Sequence, residues 1–132
     1  HVYRFICSRT FNEPFCIVLR VGPDGTGALT RKMLSGKGGY DRGIIKEQGE
    51  EVITAPKVED FLALLQREGF WSLSSGEPAN EMGFDGSSWS IEAVRTNRYH
   101  TVSRWMPKDD APVGRIGRCL VEMADWKIES LY

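Results

Sequence analysis

Apolar and polar residues alternate through the first third of the chain. In Val2–Thr10, Tyr3, Phe5 and Cys7 fall on one side of an extended backbone and Arg4 and Ser8 on the other, the period of two that marks a strand with one buried face. Phe11-Asn12-Glu13-Pro14 reads as a turn, and Phe15–Val21 resumes as a second strand. Gly22-Pro23-Asp24-Gly25 is the clearest hairpin signal, because glycine reaches the positive φ a tight turn requires. Ala28–Leu34 is expected to return as a third strand. Ser35–Gly43, with four glycines, reads as a flexible loop before a fourth strand, Ile44–Ile53.

At Thr54 the period changes. Thr54 is placed as an N-cap, with Ala55 and Pro56 in the first turn, where a missing N–H costs nothing. Val58, Phe61, Leu62 and Leu65 then recur at helical spacing, and Gly69 is expected to end the helix. Phe70, Trp71 and Leu73 should pack beneath it, ahead of a long polar loop, Ser74–Gly86. A second hairpin follows, Ser87–Arg95 and Arg98–Met106, around Thr96-Asn97. A two-residue turn there pairs Ala93 with His100, Ile91 with Val102 and Trp89 with Arg104, and the last pair is expected to make a cation–π contact. One face is then Trp89, Ile91, Ala93 and Val102. The other carries Ser90, Glu92, Thr101 and Ser103, with Tyr99 and Trp105 at its ends; a one-residue slip would exchange the two. After a break at Pro107–Pro112, a last helix is predicted from Val113 through Ile116, Leu120 and Met123 to about Trp126. The sum is an α+β class: one domain over residues 1–132, with an antiparallel sheet of about six strands and two helices packed on one side.

Composition narrows the class of function. A chain of 132 residues with four Trp, six Phe and four Tyr has enough apolar area for one core, which argues against disorder. Its net charge of −1 gives no reason to expect nucleic-acid binding, and the pairs Arg31/Lys32 and Arg115/Arg118 are too short to change that. No apolar run reaches the roughly 18–20 residues of a membrane-spanning helix, so no transmembrane segment is expected. The sequence begins at His1 rather than Met, as it would after removal of a signal peptide, a tag or a leader, so a cytoplasmic and a periplasmic location both stay open. The oligomeric state is left open too.

Candidate chemistry is sparse. Cys7, Cys16 and Cys119 are odd in number and lack paired spacing, which favours buried free thiols over a disulfide scaffold or a zinc site. In one register of the first hairpin, Cys7 and Cys16 would face each other and could bridge. His100 is the only interior histidine, and the nearest carboxylate in the pairing, Glu92, falls on the opposite face. Ser35-Gly36-Lys37-Gly38-Gly39 invites a phosphate-loop reading but lacks its spacing and the helix that must follow. Glu50-Glu51 and Asp109-Asp110 read as solvated charge, and Asp85 as the start of a turn. Neither a cofactor nor a metal is expected. Tyr40, Tyr99 and Trp105, aromatic residues beside charged ones, are of the kind that anchor protein interfaces.

Arg9-Thr10-Phe11, the segment from Ser35 to Tyr40-Asp41, Val58-Glu59-Asp60-Phe61-Leu62, Phe70-Trp71, Asp85-Gly86 with Trp89 and Glu92, and Tyr99-His100 with Arg104-Trp105 and Pro107 together resemble a group of small, largely uncharacterised bacterial domains. The resemblance runs over nearly the whole chain and implies a bacterial origin; it supplies no catalytic residues. By analogy with immunity proteins of similar size, the expectation is a non-enzymatic protein that binds a secreted toxin or effector and occludes its active site. The Ser35–Gly43 and Ser74–Gly86 loops, with Tyr40, Asp85, Glu92, Arg104 and Trp105, are the expected contact surface. Two alternatives stand beside it: a small hydrolase using His100 with a nearby carboxylate, and an envelope-associated glycan- or small-molecule-binding domain with Tyr99 and Trp105 lining its groove.

Overall fold

The computed structural model describes residues 1–38, 40–76, 85–128 and 130–132. Strands β1 (Val2–Arg9), β2 (Phe15–Val21), β3 (Gly27–Leu34) and β4 (Ile45–Ile53) form an antiparallel meander. Helix α1 (Ala55–Arg67) and a 3-10 turn at Phe70–Ser72 carry the chain back across the sheet to the hairpin β5 (Ser87–Arg95) and β6 (Arg98–Trp105), and helix α2 (Pro112–Met123) follows. The sheet order is β4-β3-β2-β1-β5-β6, so β1 and β2 are central and β4 and β6 are the edges. This is the expected α+β arrangement of six strands and two helices.

The core lies between the helices and one face of the sheet. Tyr3, Phe5, Ile17, Leu19, Leu29, Trp89, Ile91 and Val102 point into it from the strands, and Val58, Phe61, Leu65, Ile116 and Leu120 from the helices. Ring contacts knit it together: Tyr3 meets Phe61 edge-on at 5.4 Å, and Phe5 meets Phe15 at 5.6 Å and Trp89 at 5.2 Å. Gly69 takes the left-handed backbone (φ 65°) that ends α1 and swings Phe70 under it, fully buried. The β5–β6 pairing is the one the two-residue turn dictates, with Asn97 at φ 59°.

Several local expectations need correction. Ile6 pairs with Cys16, and Cys7 with Phe15, so adjacent pleats send the two thiols to opposite faces and all three cysteines are free. Thr54 sits at the N-cap with extended angles, but its side chain makes no capping bond. Helix α2 stops at Met123, because Asp125 turns to φ 48° and releases Trp126 to pack edge-on against Phe15 at 5.5 Å. Arg104 does stand opposite Trp89, yet its guanidinium bonds the 74–76 segment; the cation over the Trp89 ring is Arg118, at 5.8 Å.

Close approach of α2 to the sheet depends on Gly117. A Cβ there would lie 2.8 Å from two carbons of the Trp89 ring and 3.1 Å from Phe5 Cζ. Neither ring can move, since both are fully buried. Gly117→Ala should therefore cost about 1–3 kcal/mol, despite alanine's better helix propensity, as read from the urea midpoint. An unchanged or raised midpoint would show that α2 has room to lift.

Candidate functional site

Both helices pack on the core side, so no described helix covers the opposite face of the sheet; at one end of it the chain comes close, with Gly38 near Ser8 and Arg42 near Ile6. Register defines its rows. One runs Val52–Ala28–Arg20–Val2–Val94–Tyr99, and the next Glu50–Thr30–Val18–Arg4–Glu92–Thr101. The face is more apolar than a solvated sheet needs: Val52 is 78% exposed and Tyr99 60%, with Val94 also exposed. Near its centre Arg4 Nε donates to Glu92 at 2.9 Å and a second guanidinium nitrogen pairs with the same carboxylate oxygen.

At the end of the sheet where β1, β3 and β6 finish, this face deepens into an apolar groove of about 280 Å³. Ile6, Pro14, Cys16, Leu34 and Ile45 line it, and Lys32 and Arg42 border it. Neither cation has an ion-pair partner among the described residues. Beside it the rings of Phe11 and Tyr40 meet at 6.3 Å, both largely in solvent, and Ile44 at the end of the same loop is exposed as well. Two exposed aromatics in contact, beside unpaired cations, make the most conspicuous sticky patch on this side.

The five residues singled out from the sequence separate into groups. Tyr40, Asp85 and Trp105 lie at this same end of the sheet, Tyr40 and Asp85 in solvent and Trp105 half-buried. Trp105 lines a second cleft, of about 420 Å³, with Leu73, Met106, Pro107 and Val113. Glu92 stands mid-face on β5, tied to Arg4. Arg104 points to the helix side, where it donates to the Ser103 carbonyl at 2.8 Å and to Ser74 Oγ at 3.2 Å, fastening the segment after the 3-10 turn to β6. Of the Ser74–Gly86 loop, residues 77–84 lie outside the described residues, as does Gly39 of the Ser35–Gly43 loop.

The reactive side chains have structural partners. His100 Nε2 donates to the Leu73 carbonyl at 2.8 Å, and its ring packs against Phe70 and Trp71 at 5.2 and 6.3 Å. Glu92 faces away from it, as its place in the pleat requires. Cys7 is fully buried with its thiol toward the Leu131 carbonyl at 3.4 Å, and burial pushes its pKa up to about 12 against the opposing effects of the Arg9 charge and a Ser87 hydrogen bond. Arg9, itself buried, bonds the carbonyls of Glu13 and Ser130 and so ties the β1–β2 turn to the chain's last residues. Among the described residues, no group of three His, Cys, Asp or Glu side chains could hold a metal ion. No described helix is long and apolar enough to cross a membrane.

Comparison with protein-family models and with curated proteins finds no match.

The Cys7 environment has a consequence for alkaline stability. Its folded pKa is raised above the ordinary thiol value of 9.0, so its stabilising contribution is complete below about pH 9 and is lost as pH rises toward 12. Over that window the loss approaches about 1.4 kcal/mol per pH unit. Urea unfolding at pH 8 and pH 10 should show a steeper loss for the wild type than for Cys7→Ala. Parallel losses would mean that Cys7 ionises freely in the folded protein.

Proposed function

We propose that this is a non-enzymatic bacterial protein-binding domain, an immunity protein that neutralises a cognate secreted toxin or effector by lying across its active site. The observation that carries the reading is the bare sheet face, with its apolar groove and the Phe11–Tyr40 pair at one end. Six strands about 4.8 Å apart, each about eight residues long at about 3.3 Å per residue, give a plan area of about 630 Å². With the loops at its end included, that approaches the roughly 800 Å² per partner of a standard interface.

In this reading Tyr40 and Trp105 are anchors at the margin, because rigid aromatic side chains lose little entropy on binding. Glu92 and Arg4 provide a polar pair mid-face whose free lone pairs and N–H groups can be met by a partner. Lys32 and Arg42 favour carboxylates on the partner's rim and speed its approach. Arg104 takes a different part: it holds the 74–76 segment in place, and its effect on binding passes through that segment.

The test has two stages. The purified domain is used as bait in extracts of its native bacterium, with mass spectrometry as readout; one stoichiometric partner bearing a toxin or secretion domain is the expected result, and none ends the immunity reading. With the partner in hand, substituting Tyr40, Glu92 and Trp105 together by alanine should weaken binding at least about thirtyfold, the equivalent of one strong anchor of about 2 kcal/mol. Unchanged affinity in a variant with wild-type circular dichroism would put the contact surface elsewhere.

A further inference from the structure

We propose that the cleft between the end of α1, the 3-10 turn and the tip of the β5–β6 hairpin is a binding site for a small tetrahedral dianion, an inorganic phosphate or the phosphoryl group of a small ester. It lies on the helix side of the sheet, at the opposite end from the Phe11–Tyr40 patch, and does not depend on the immunity reading. The cleft measures about 260 Å³, and its polar lining comes from Tyr3, Gln66, Ser72, Arg95 and Arg98, with Trp71 as its wall.

Its charge is unusual. Arg95 and Arg98 stand directly opposite each other across the two-residue turn, so the pleat sends both side chains to the same face. Like charges in that position repel, and proteins ordinarily avoid or neutralise them. Here neither guanidinium forms an ion pair or a hydrogen bond with any described residue. Both instead rest on the Trp71 ring, Arg98 at 4.5 Å and Arg95 at 5.6 Å from its centroid. Contact with an aromatic ring leaves the N–H edges of a guanidinium free to donate.

The neutral groups around them are equally unspent. Tyr3 is only 1% exposed, its ring held edge-on by Phe61, and its hydroxyl makes no hydrogen bond with a described residue. The hydroxyl borders the cleft, where it is free to donate to a ligand. The Arg95 charge reaches it, partly offsetting the burial that raises the Tyr3 pKa. The Gln66 amide and Ser72 hydroxyl also border the cleft without a hydrogen-bond partner among the described residues. No described acidic residue lines the space. Two cations with three neutral side chains able to donate match a dianion rich in acceptor lone pairs. The volume lies below the roughly 300 Å³ at which pockets for drug-sized ligands begin, so the ligand is a headgroup rather than a large cofactor.

The experiment is a titration of the intact domain with sodium phosphate against sodium acetate at matched ionic strength, followed by NMR of the arginine Nε–H and Trp71 indole signals. Saturable shifts at Arg95, Arg98 and Trp71 with phosphate, with little response to acetate, are expected. The melting temperature should rise with phosphate alone. The double variant Arg95→Gln/Arg98→Gln should weaken phosphate binding at least tenfold, and Tyr3→Phe severalfold. Both arginines lie at an exposed hairpin tip, so the double variant is read at the wild-type fold even where Tyr3→Phe disturbs the core. Methyl phosphate binding tighter than phosphate identifies an ester as the ligand, and the reverse a free ion. Shifts that never saturate, that acetate reproduces, or that survive in the double variant overturn the proposal.

Discussion

An indole buried in a protein core brings a polar N–H that must find an acceptor, and in this fold that requirement organises one whole side of the molecule. Trp89 is completely buried; its Nε1 donates to Ser87 Oγ at 2.8 Å and to the Leu131 carbonyl at 3.3 Å. Tyr132 stacks on the ring at 5.6 Å with an interplanar angle of 19°, and Phe5 tilts against it. One side chain thus joins β1, β5, α2 and the last residues of the chain. Because α2 must press its Gly117 onto that ring, the helix lies low on the sheet, and α1 packs beside it over Tyr3 and Leu19. With both helices committed to this face, no described helix is left for the other.

Much of the fold could be read from the sequence because its signals are local. The β5–β6 register follows from a two-residue turn, and α1 follows from the recurrence of Val58, Phe61 and Leu65 with Gly69 at its end. What could not be read depends on residues far apart in the chain. Arg104 has its acceptors in the 74–76 segment, and Arg118 reaches the Trp89 ring that Arg104 was expected to cover. The bare face was also partly legible: Ile6 breaks the alternation of β1, and Phe15–Val21 is nearly continuous in apolar residues, so both faces of the central strands carry them. The phosphate-sized cleft was not, since Tyr3, Trp71 and the arginine pair meet only after the β5–β6 hairpin docks beside β1.

A net charge near zero conceals how unevenly the charges are placed. Lys32 and Arg42 border an apolar groove at one end of the sheet, and Arg95 with Arg98 crowd the hairpin tip at the other. Three carboxylates, Glu47, Glu50 and Glu51, are gathered on β4. Exposed pairs such as Lys46–Glu13 and Arg115–Glu68 add little to stability. For recognition, the local sign counts for more than the total, because fields from exposed charges decay over about 10 Å in ordinary salt.

The two edges of the sheet are treated differently. Along β6 the Ser103 amide is taken by the Ser75 carbonyl, so that border is partly sealed from within. Strand β4 has no described neighbour strand on its outer side, and six of its nine residues are exposed. An open row of amides and carbonyls invites another chain to add a strand. Lys46, Glu47, Glu50 and Glu51 place charges at four of its nine positions, and any strand settling there would have to dehydrate them. Edge-to-edge growth into ribbons of stacked sheet is thus opposed by the cost of stripping water from those side chains.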